Sequence, residues 1–535
     1  MTATAEDGRG ALGPVAESER VQELDVVRGF ALVGIFLMNI EFFNRSLHGM
    51  AEGMPRDLTG PSWFASWFIT YFVQGKFWTT FSMLFGMGFA IMLERAQRAG
   101  RPFLAPYIRR ILALAAFGAL HFILLWTGDI LYSYAVAASG LLVMLYARAR
   151  WIALAVAVIA GIGFVPHLHG AWVIAGTLTF LGVVALYLRS EKIVNLRIVR
   201  LPLFSFIYLI LGILAAGAAT AMGLLGAPTM PQIAVTVTAV MFIAISLLAA
   251  RYRNPVELRP LRLGASMYVV PCVMMLAMGV AQYVYTPELT PDQQAERTKD
   301  VDTSLAREHE DERVMATGSY ADAVELRAKE FPARIVEEAG LAMLAIGMFL
   351  IGVWFVRSKK MTNARQHLGM FKKLAIYALP LGIGLGLVGN LFTNYHTLGD
   401  DSDGFQLGRA FGMLGSLPAS LGYVGLMVVA LHSNTIASKV RVLAPAGRMA
   451  LTNYLMQSLI STCVFYGYGG GYYGLSRAWQ VVFVVVVFSF QVVLSHSWLA
   501  RFRYGPMEWL WRAITYRTIP QMRLHAPEVV APTPT

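Results

Sequence analysis

The sequence predicts an all-α fold, a polytopic transmembrane helical bundle, and three observations carry that prediction. Hydrophobic residues make up 56% of the 535 positions and charged ones only 14%, against roughly 45–50% and ~25% in a soluble domain. Apolar stretches of roughly 20 residues recur from Val27 to Leu499, each enough to cross the ~30 Å hydrocarbon core of a bilayer. The connectors between them alternate between strongly basic and neutral or acidic. Cys272 and Cys463 both fall in apolar segments, which excludes a disulfide framework and a cysteine-held zinc.

A net charge of +12 would point to nucleic acid on a soluble chain. Its distribution points to membrane orientation instead. Fourteen acidic and seven basic residues between Thr286 and Gly340 give that segment a net of −7, which leaves +19 for the rest. The positive excess lies in short connectors, where it marks the cytoplasmic side. No nucleic acid partner is expected.

Taken in order, residues 1–24 are polar and lack the apolar core and cleavage site of a secretory signal, so they read as a cytoplasmic tail. The first span starts near Val26 and ends near Phe43. Arg95 to Arg110, Arg148 and Arg150, Arg189 to Arg200, Arg251 to Arg262, Arg357 to Lys373, Lys439 to Arg448 and Arg501 to Arg523 then all fall on the side of that tail. Gly128-Asp129, His167 and His169, Ala227-Pro228, Thr286 to Gly340, Thr393 to Gly408 and Gly467 to Gly474 fall on the other. The alternation gives about 14 spans, in a range of 11–14, with both termini cytoplasmic. Residues 25–148 form an amino-terminal region, 149–285 a further set of helices, 286–340 an extracytoplasmic acidic segment, 341–517 a carboxy-terminal transmembrane region and 518–535 a second cytoplasmic tail. Ser62 to Gln74 is rich in aromatics and broken by Gly75-Lys76, so it reads as a helix on the outer surface, with Phe77 to Leu93 as the span. Trp151 to Ala249 holds almost no polar residue inside its spans and reads as packing or lipid-facing helix.

Ionisable and amide side chains are costly in hydrocarbon and therefore point to function. Asp25 and Arg28 share a face at the start of the first span, Asn39 lies ~17 Å further along it, and His48 follows in the loop. His121, Trp126 and Asp129 form a second group, with Asp129 at the outer surface and His121 about 12 Å deeper on the same helix. A third group holds Arg448 and, four apart on one face, Asn453 and Gln457. Arg501, Arg503, Glu508 and Arg512 follow the last span, and an anionic cytoplasmic ligand suits that arginine cluster. Each group has a structural alternative: basic residues as topology signals, Asp25 as a helix cap, and Asn453 and Gln457 as helix-to-helix hydrogen bonds. No metal-ligand spacing, glycine-rich phosphate loop or nucleophile elbow is present.

Leu24 to Leu32 with Asn39, Gly75-Lys76-Phe77 to Gly86, and Phe117-Gly118 to Leu131 resemble the amino-terminal part of the bacterial YeiB-like family of multispan membrane proteins. Gly447 to Ser458 and Arg501 to Arg512 resemble that family's carboxy-terminal domain of unknown function 418. The first span also resembles the wider transmembrane acyltransferase group, which includes heparan-α-glucosaminide N-acetyltransferase. That resemblance implies acyl transfer from cytoplasmic acetyl-CoA, or another acyl-CoA, to an extracytoplasmic carbohydrate or glycolipid acceptor, in a bacterial cytoplasmic (inner) membrane. It also implies a pairing of Asn39 with His48 by order and approximate spacing.

For such a reaction Arg28, Arg448 and Arg512, with Asn453 and Gln457, are candidates to bind the acyl-CoA. His48 or His121 is the candidate base, Asn39 or Trp126 the oxyanion donor, and Asp129 the group that orients a histidine. Acyl-CoA serves as co-substrate, no metal is expected, membrane lipids surround the chain, and a homo-oligomer is compatible with the sequence. The alternative is a transporter or lipid-handling membrane protein without acyl transfer, which the lack of an internal repeat or matched broken helices disfavours.

Overall fold

The computed structural model describes residues 20–165, 168–195, 200–285 and 289–524. The polar tails, residues 1–19 and 525–535, and His167 lie outside the described residues. The chain is a bundle of helices. The amino-terminal set is α1 (Gln22–Asn39), α2 (Gly60–Phe68), α3 (Lys76–Arg98), α4 (Leu104–Leu124) and α5 (Leu131–Tyr146). Next come α6 (Ala149–Ile162), α7 (Ala171–Arg189), α8 (Leu203–Leu224), α9 (Thr229–Arg251) and α10 (Arg259–Val284), then α11 (Pro291–Thr317) and α12 (Tyr320–Arg357). The chain ends with α13 (Leu368–Lys373), α14 (Leu379–Gly389), α15 (Phe405–Leu431), α16 (Ala444–Arg448), α17 (Ala450–Phe465), α18 (Arg477–Leu499) and α19 (Pro506–Tyr516).

Ten of these stretches are long and apolar enough to cross a bilayer, and eleven if α12, bent by 59° between Glu338 and Ala342, counts as one span. Among the described residues the upper count meets the low end of the expected range of 11–14, and 14 itself is not reached. A helix occupies every predicted span, but α5, α6 and α17 are 16, 14 and 16 residues long. At 1.5 Å per residue they fall short of the ~30 Å needed. The basic connector between α7 and α8 also departs from the all-helical expectation. Ile193–Asn195 pairs antiparallel with Arg200–Pro202 as a short hairpin, and Glu191 beside it pairs with Arg253 (2.8 Å) and Arg259 (2.7 Å).

Which connectors share an end agrees with the charge pattern. Arg20, Arg28, Arg95, Arg110, Arg448 and Arg512 gather at one end, here called the basic end. At the opposite, acidic end the remaining connectors are bonded to one another. His48 approaches Asp311 at 3.5 Å, Arg297 pairs with Asp401 at 2.6 Å, and the Gly467 amide donates to the Met315 carbonyl at 2.8 Å. The acidic segment is thus folded onto the bundle. Fully buried Arg327 donates to the carbonyls of Ile123, Leu125 and Leu124 at 2.9, 2.8 and 3.4 Å. It caps the end of α4, whose last carbonyls have no partner within the helix.

Helices α8 and α9 pack as a pair at the edge of the core, which Phe204 and Tyr208 join, and only 11% of the apolar window of α9 is buried, in keeping with a lipid-facing role. The core lies among α1, α3, α5, α12 and α15. Close approach at the basic end depends on glycine. A Cβ on Gly447 would collide with the Asp25 carbonyl, and one on Gly29 with the Leu443 carbonyl. Small residues at both positions let α16 lie against α1 backbone to backbone, which brings Arg448 to the face that carries Arg28. Gly447→Val should cost about 1–3 kcal/mol of stability, read as a lower thermal unfolding midpoint in detergent, whereas an unchanged midpoint would show that the crossing can open without loss.

Candidate functional site

The polar residues of the bundle interior converge on one serine. His121 Nδ1 lies 2.8 Å from Asp129 Oδ1, and His121 Nε2 lies 2.8 Å from Ser458 Oγ. All three are at most 2% exposed. In the tautomer with its proton on Nδ1, His121 donates to Asp129 and its Nε2 accepts from the serine hydroxyl. This is the constellation of a nucleophile, a base and an orienting carboxylate.

The expected 12 Å between His121 and Asp129 is corrected by the local fold. α4 stops at Leu124, and the Leu125 and Trp126 amides both donate to the His121 carbonyl at 2.9 Å. The chain then folds back so that Asp129 returns to the histidine three residues past the turn. Gly128 is required there because a Cβ would enter the Trp126 ring. Asp129 Oδ2 also accepts from the Tyr132 amide at 2.6 Å, and Arg334 donates to the Asp129 carbonyl at 3.2 Å.

Trp126 and Asn39 are placed differently from the proposed oxyanion role. Trp126 stacks on Phe43 and its Nε1–H donates to the Phe42 carbonyl at 3.1 Å. Asn39 is buried at the end of α1 and makes no hydrogen bond to His48. Asn453 and Gln457 fasten helices together. Asn453 Nδ2 donates to the Ala446 carbonyl (3.2 Å) and to Ser495 Oγ (3.0 Å), and Gln457 Nε2 to Gln491 Oε1 (3.0 Å).

Arg28, Arg448 and Arg512 do come together. They line a cavity of about 270 Å³ at the basic end, with Arg20, Arg95 and Arg110. Six guanidinium groups there face two carboxylates, Asp25 and Glu508. Asp25 pairs with Arg28 at 2.9 Å. Glu508 accepts from the Leu451 and Thr452 amides (2.6 and 3.1 Å) and from Thr452 Oγ1 (2.6 Å), so it caps α17. Burial pushes its carboxyl up, the same hydrogen bonds holding it down. Arg110 lies over the Trp511 ring and Arg512 over the Tyr504 ring. The inner end of the cavity is closed by Ile130 and Tyr454. The Tyr454 ring centroid is 5.1 Å from that of His121, and its helix carries Ser458 one turn on.

Ser458 is the residue that sequence reasoning missed. A serine inside an apolar helix usually bonds its own backbone, and nothing local distinguishes this one. The available signal was a helix unusually polar for a span, with Ser458 four residues after Tyr454 on a face other than that of Asn453 and Gln457.

His48 belongs to a separate cluster. Its Nε2 lies 3.5 Å from Asp311 Oδ2 and 4.0 Å from Glu330 Oε1, and Ser46 Oγ donates to Asp311 at 2.8 Å. The donor atoms of the three residues lie within 4.8 Å of one another, a set that a divalent cation accepts chemically. The nearby carboxylates of Glu330 and Asp311 hold the imidazole above its ordinary value against burial, and burial pushes Asp311 up to about 6. A raised histidine pKa stabilises fully below the unfolded value of ~6.5 and loses that contribution as pH rises through the folded value. Asp311, raised from its ordinary 3.8 to about 6, likewise favours the fold at low pH and loses that contribution as pH rises through about 6. Hydrogen exchange of the 44–54 loop, corrected for the chemical rate, should therefore speed up from pH 6.5 to 9, and His48→Gln should remove that dependence. A flat wild-type profile would mean that the pairing does not hold the loop.

Residues 355–518 match the family described as Protein of unknown function (DUF418). The chain is 25% identical to Bacillus subtilis (strain 168) "Uncharacterized protein YxaH" over 525 residues, 95% of this chain and 96% of that one. It is 36% identical over 137 residues to a 39.9 kDa protein of the amylase 3′ region of Bacillus acidopullulyticus, covering 25% of this chain and 36% of the other. To Escherichia coli (strain K12) YeiB it is 47% identical over 75 residues, 14% of this chain and 19% of the relative. No solved structure matches. The motifs at Gly447 and Arg501 lie inside the matched segment, so the carboxy-terminal region of the chain carries the DUF418 match and the full chain is similar to uncharacterized proteins of the YxaH and YeiB type.

Proposed function

We propose that the chain is an acyl-CoA-dependent acyltransferase of the bacterial cytoplasmic membrane, with its basic end in the cytoplasm. The observation that carries this reading is the six-arginine cavity that ends at Tyr454, whose ring packs against His121 of the buried Ser458–His121–Asp129 assembly. Acyl-CoA carries phosphates at one end and a thioester on a long thin arm at the other. Guanidinium groups match phosphate geometry, and the apolar inner half of the cavity suits the arm. The thioester then reaches the Tyr454 boundary.

In the first step Ser458 Oγ gives its proton to His121 Nε2 and forms a bond to the acyl carbon. The carbon–sulfur bond breaks, and the departing thiolate takes the proton from the imidazolium, which leaves acyl-Ser458 and free CoA. In the second step an acceptor hydroxyl or amine gives its proton to His121 and attacks the same carbon, and the serine oxygen leaves with that proton. Asp129 holds the imidazole in the required tautomer and stabilises it while charged. Ile130 lines both the arginine cavity and a second cavity that opens at the acidic end, so a carbohydrate or glycolipid acceptor can approach from the side opposite the donor.

Purified full-length protein should release CoA thiol from acetyl-CoA, faster when a bacterial glycolipid extract is added. Ser458→Ala and His121→Ala should each lower kcat by about 10²-fold or more. Arg448→Ala should act mainly on KM. Failure of the wild-type protein to bind or turn over acetyl-CoA would overturn the reading. Full turnover in both triad variants would remove the serine and histidine from the chemistry.

A further inference from the structure

The second cavity has a charge imbalance that the acyl-transfer reading does not use. It is about 480 Å³ in volume and lies between α3, α12, α14 and α15 near the acidic end, lined among others by Lys76, Arg409, Arg334, Glu338, Glu41 and Tyr71. Both carboxylates are already satisfied. Glu338 pairs with Arg334 at 2.5 Å and accepts from Ser133 Oγ at 2.6 Å. Glu41 pairs with Arg477 at 3.0 Å and with Arg45 at 3.4 Å. Two cations remain. Lys76 is 2% exposed, and its Nζ has a single long contact, 3.4 Å to the Thr70 carbonyl. Arg409 is open to the cavity and makes no hydrogen bond or ion pair among the described residues.

The position of Lys76 is built. It follows Gly75, which has a φ of +78° and no room for a side chain beside Ser416 Oγ. Its own carbonyl accepts from Ser420 Oγ at 2.6 Å and from Thr80 Oγ1 at 2.9 Å. Those bonds tie the start of α3 to α15, the helix that carries Arg409. A charged group withdrawn from water without a counter-ion is strongly unfavourable. A chain that holds one in a cavity of this size, whose wall also carries a second cation without a partner among the described residues, has the electrostatics of an empty anion site. An ammonium and a guanidinium together suit a phosphate, one as a point charge and the other as a fork.

We propose that this cavity binds a phosphate ester, with the phosphate held between Lys76 and Arg409. The Trp78 and Phe405 rings that share the lining are apolar surface for the remainder of the molecule. As an anion site the proposal stands alone; as the place of the acyl acceptor it rests on the function proposed above, and it then names that acceptor as phosphate-bearing.

The test uses the full-length chain in maltoside detergent without acyl-CoA, titrated calorimetrically with dioctanoyl phosphatidylglycerol and, separately, with glycerol 1-phosphate. Wild type should bind at least one. Binding of the lipid alone identifies a headgroup site, and binding of the soluble ester a site for a free phosphate. Lys76→Met and Arg409→Met should each weaken binding by about tenfold or more. Lys76→Arg should keep the affinity, and a monodisperse elution profile excludes misfolding as the cause. Failure of both probes to bind wild type, or wild-type affinity in both methionine variants, overturns the proposal. Phosphate binding in a protein that never turns over acetyl-CoA would leave this site standing and remove the acyl-transfer reading, and the reverse result would do the opposite.

Discussion

A histidine with both ring nitrogens bonded inside an apolar bundle is the interaction on which the surrounding structure depends. An imidazole there cannot borrow water for either nitrogen, and an unpaired polar group in such a place costs free energy comparable to a lost hydrogen bond. His121 is on α4, Asp129 on the returning loop and Ser458 on α17, so satisfying one ring fixes three separate pieces of chain. The loop in turn needs Arg327 on the carbonyls that close α4 and Arg334 on the Asp129 carbonyl. Both arginines come from the acidic half of α12, which explains why a segment that looks like solvated helix has arginines at all.

The placement of charge follows the same constraint at larger scale. Guanidinium groups gather at one end of the bundle, where the α1–α16 crossing draws Arg448 towards Arg28 and Glu508 secures α17 by capping it. Carboxylates gather at the other end and are mostly paired. Between the two ends the apolar core is interrupted by few groups besides the His121 assembly, the amide ladder of Asn453, Gln457 and Gln491, and Lys76. A bundle built only for packing would have no reason to carry these, since replacing them with apolar side chains of the same shape would cost little or nothing.

Hydropathy and connector charge made the helices and their shared ends legible, because both act over whole segments and add up along the chain. Three helices came out shorter than a span because their turns are set by single residues: Ala147 and Arg148 between α5 and α6, Tyr466 after α17. The convergence of Arg28, Arg448 and Arg512 was partly legible, since all three were assigned to the same side. Their meeting in one cavity depends on a glycine crossing that has no periodic signature. His121 and Asp129 were picked out by residue type, but their contact was not, since a helix that continued through Trp126 would have held them apart. Lys76 was visible as a break in an aromatic run and as part of the Gly75-Lys76-Phe77 motif; its meaning lies in which carboxylates are already taken, a question of three dimensions.

His48 and His121 differ in a way that assigns them separate work. His48 is 43% exposed at its side chain and is surrounded by carboxylates that hold its proton on. A base must accept a proton from the reacting group, and neighbouring carboxylates that hold the His48 imidazole above its ordinary value work against that role. His121 has one carboxylate, on the nitrogen away from Ser458, and a hydroxyl on the other, the arrangement in which a neutral imidazole accepts a proton and gains a counter-charge as it does so. Under the proposed function His121 is then the base, and His48 holds the first loop against α11 and α12 through Asp311 and Glu330.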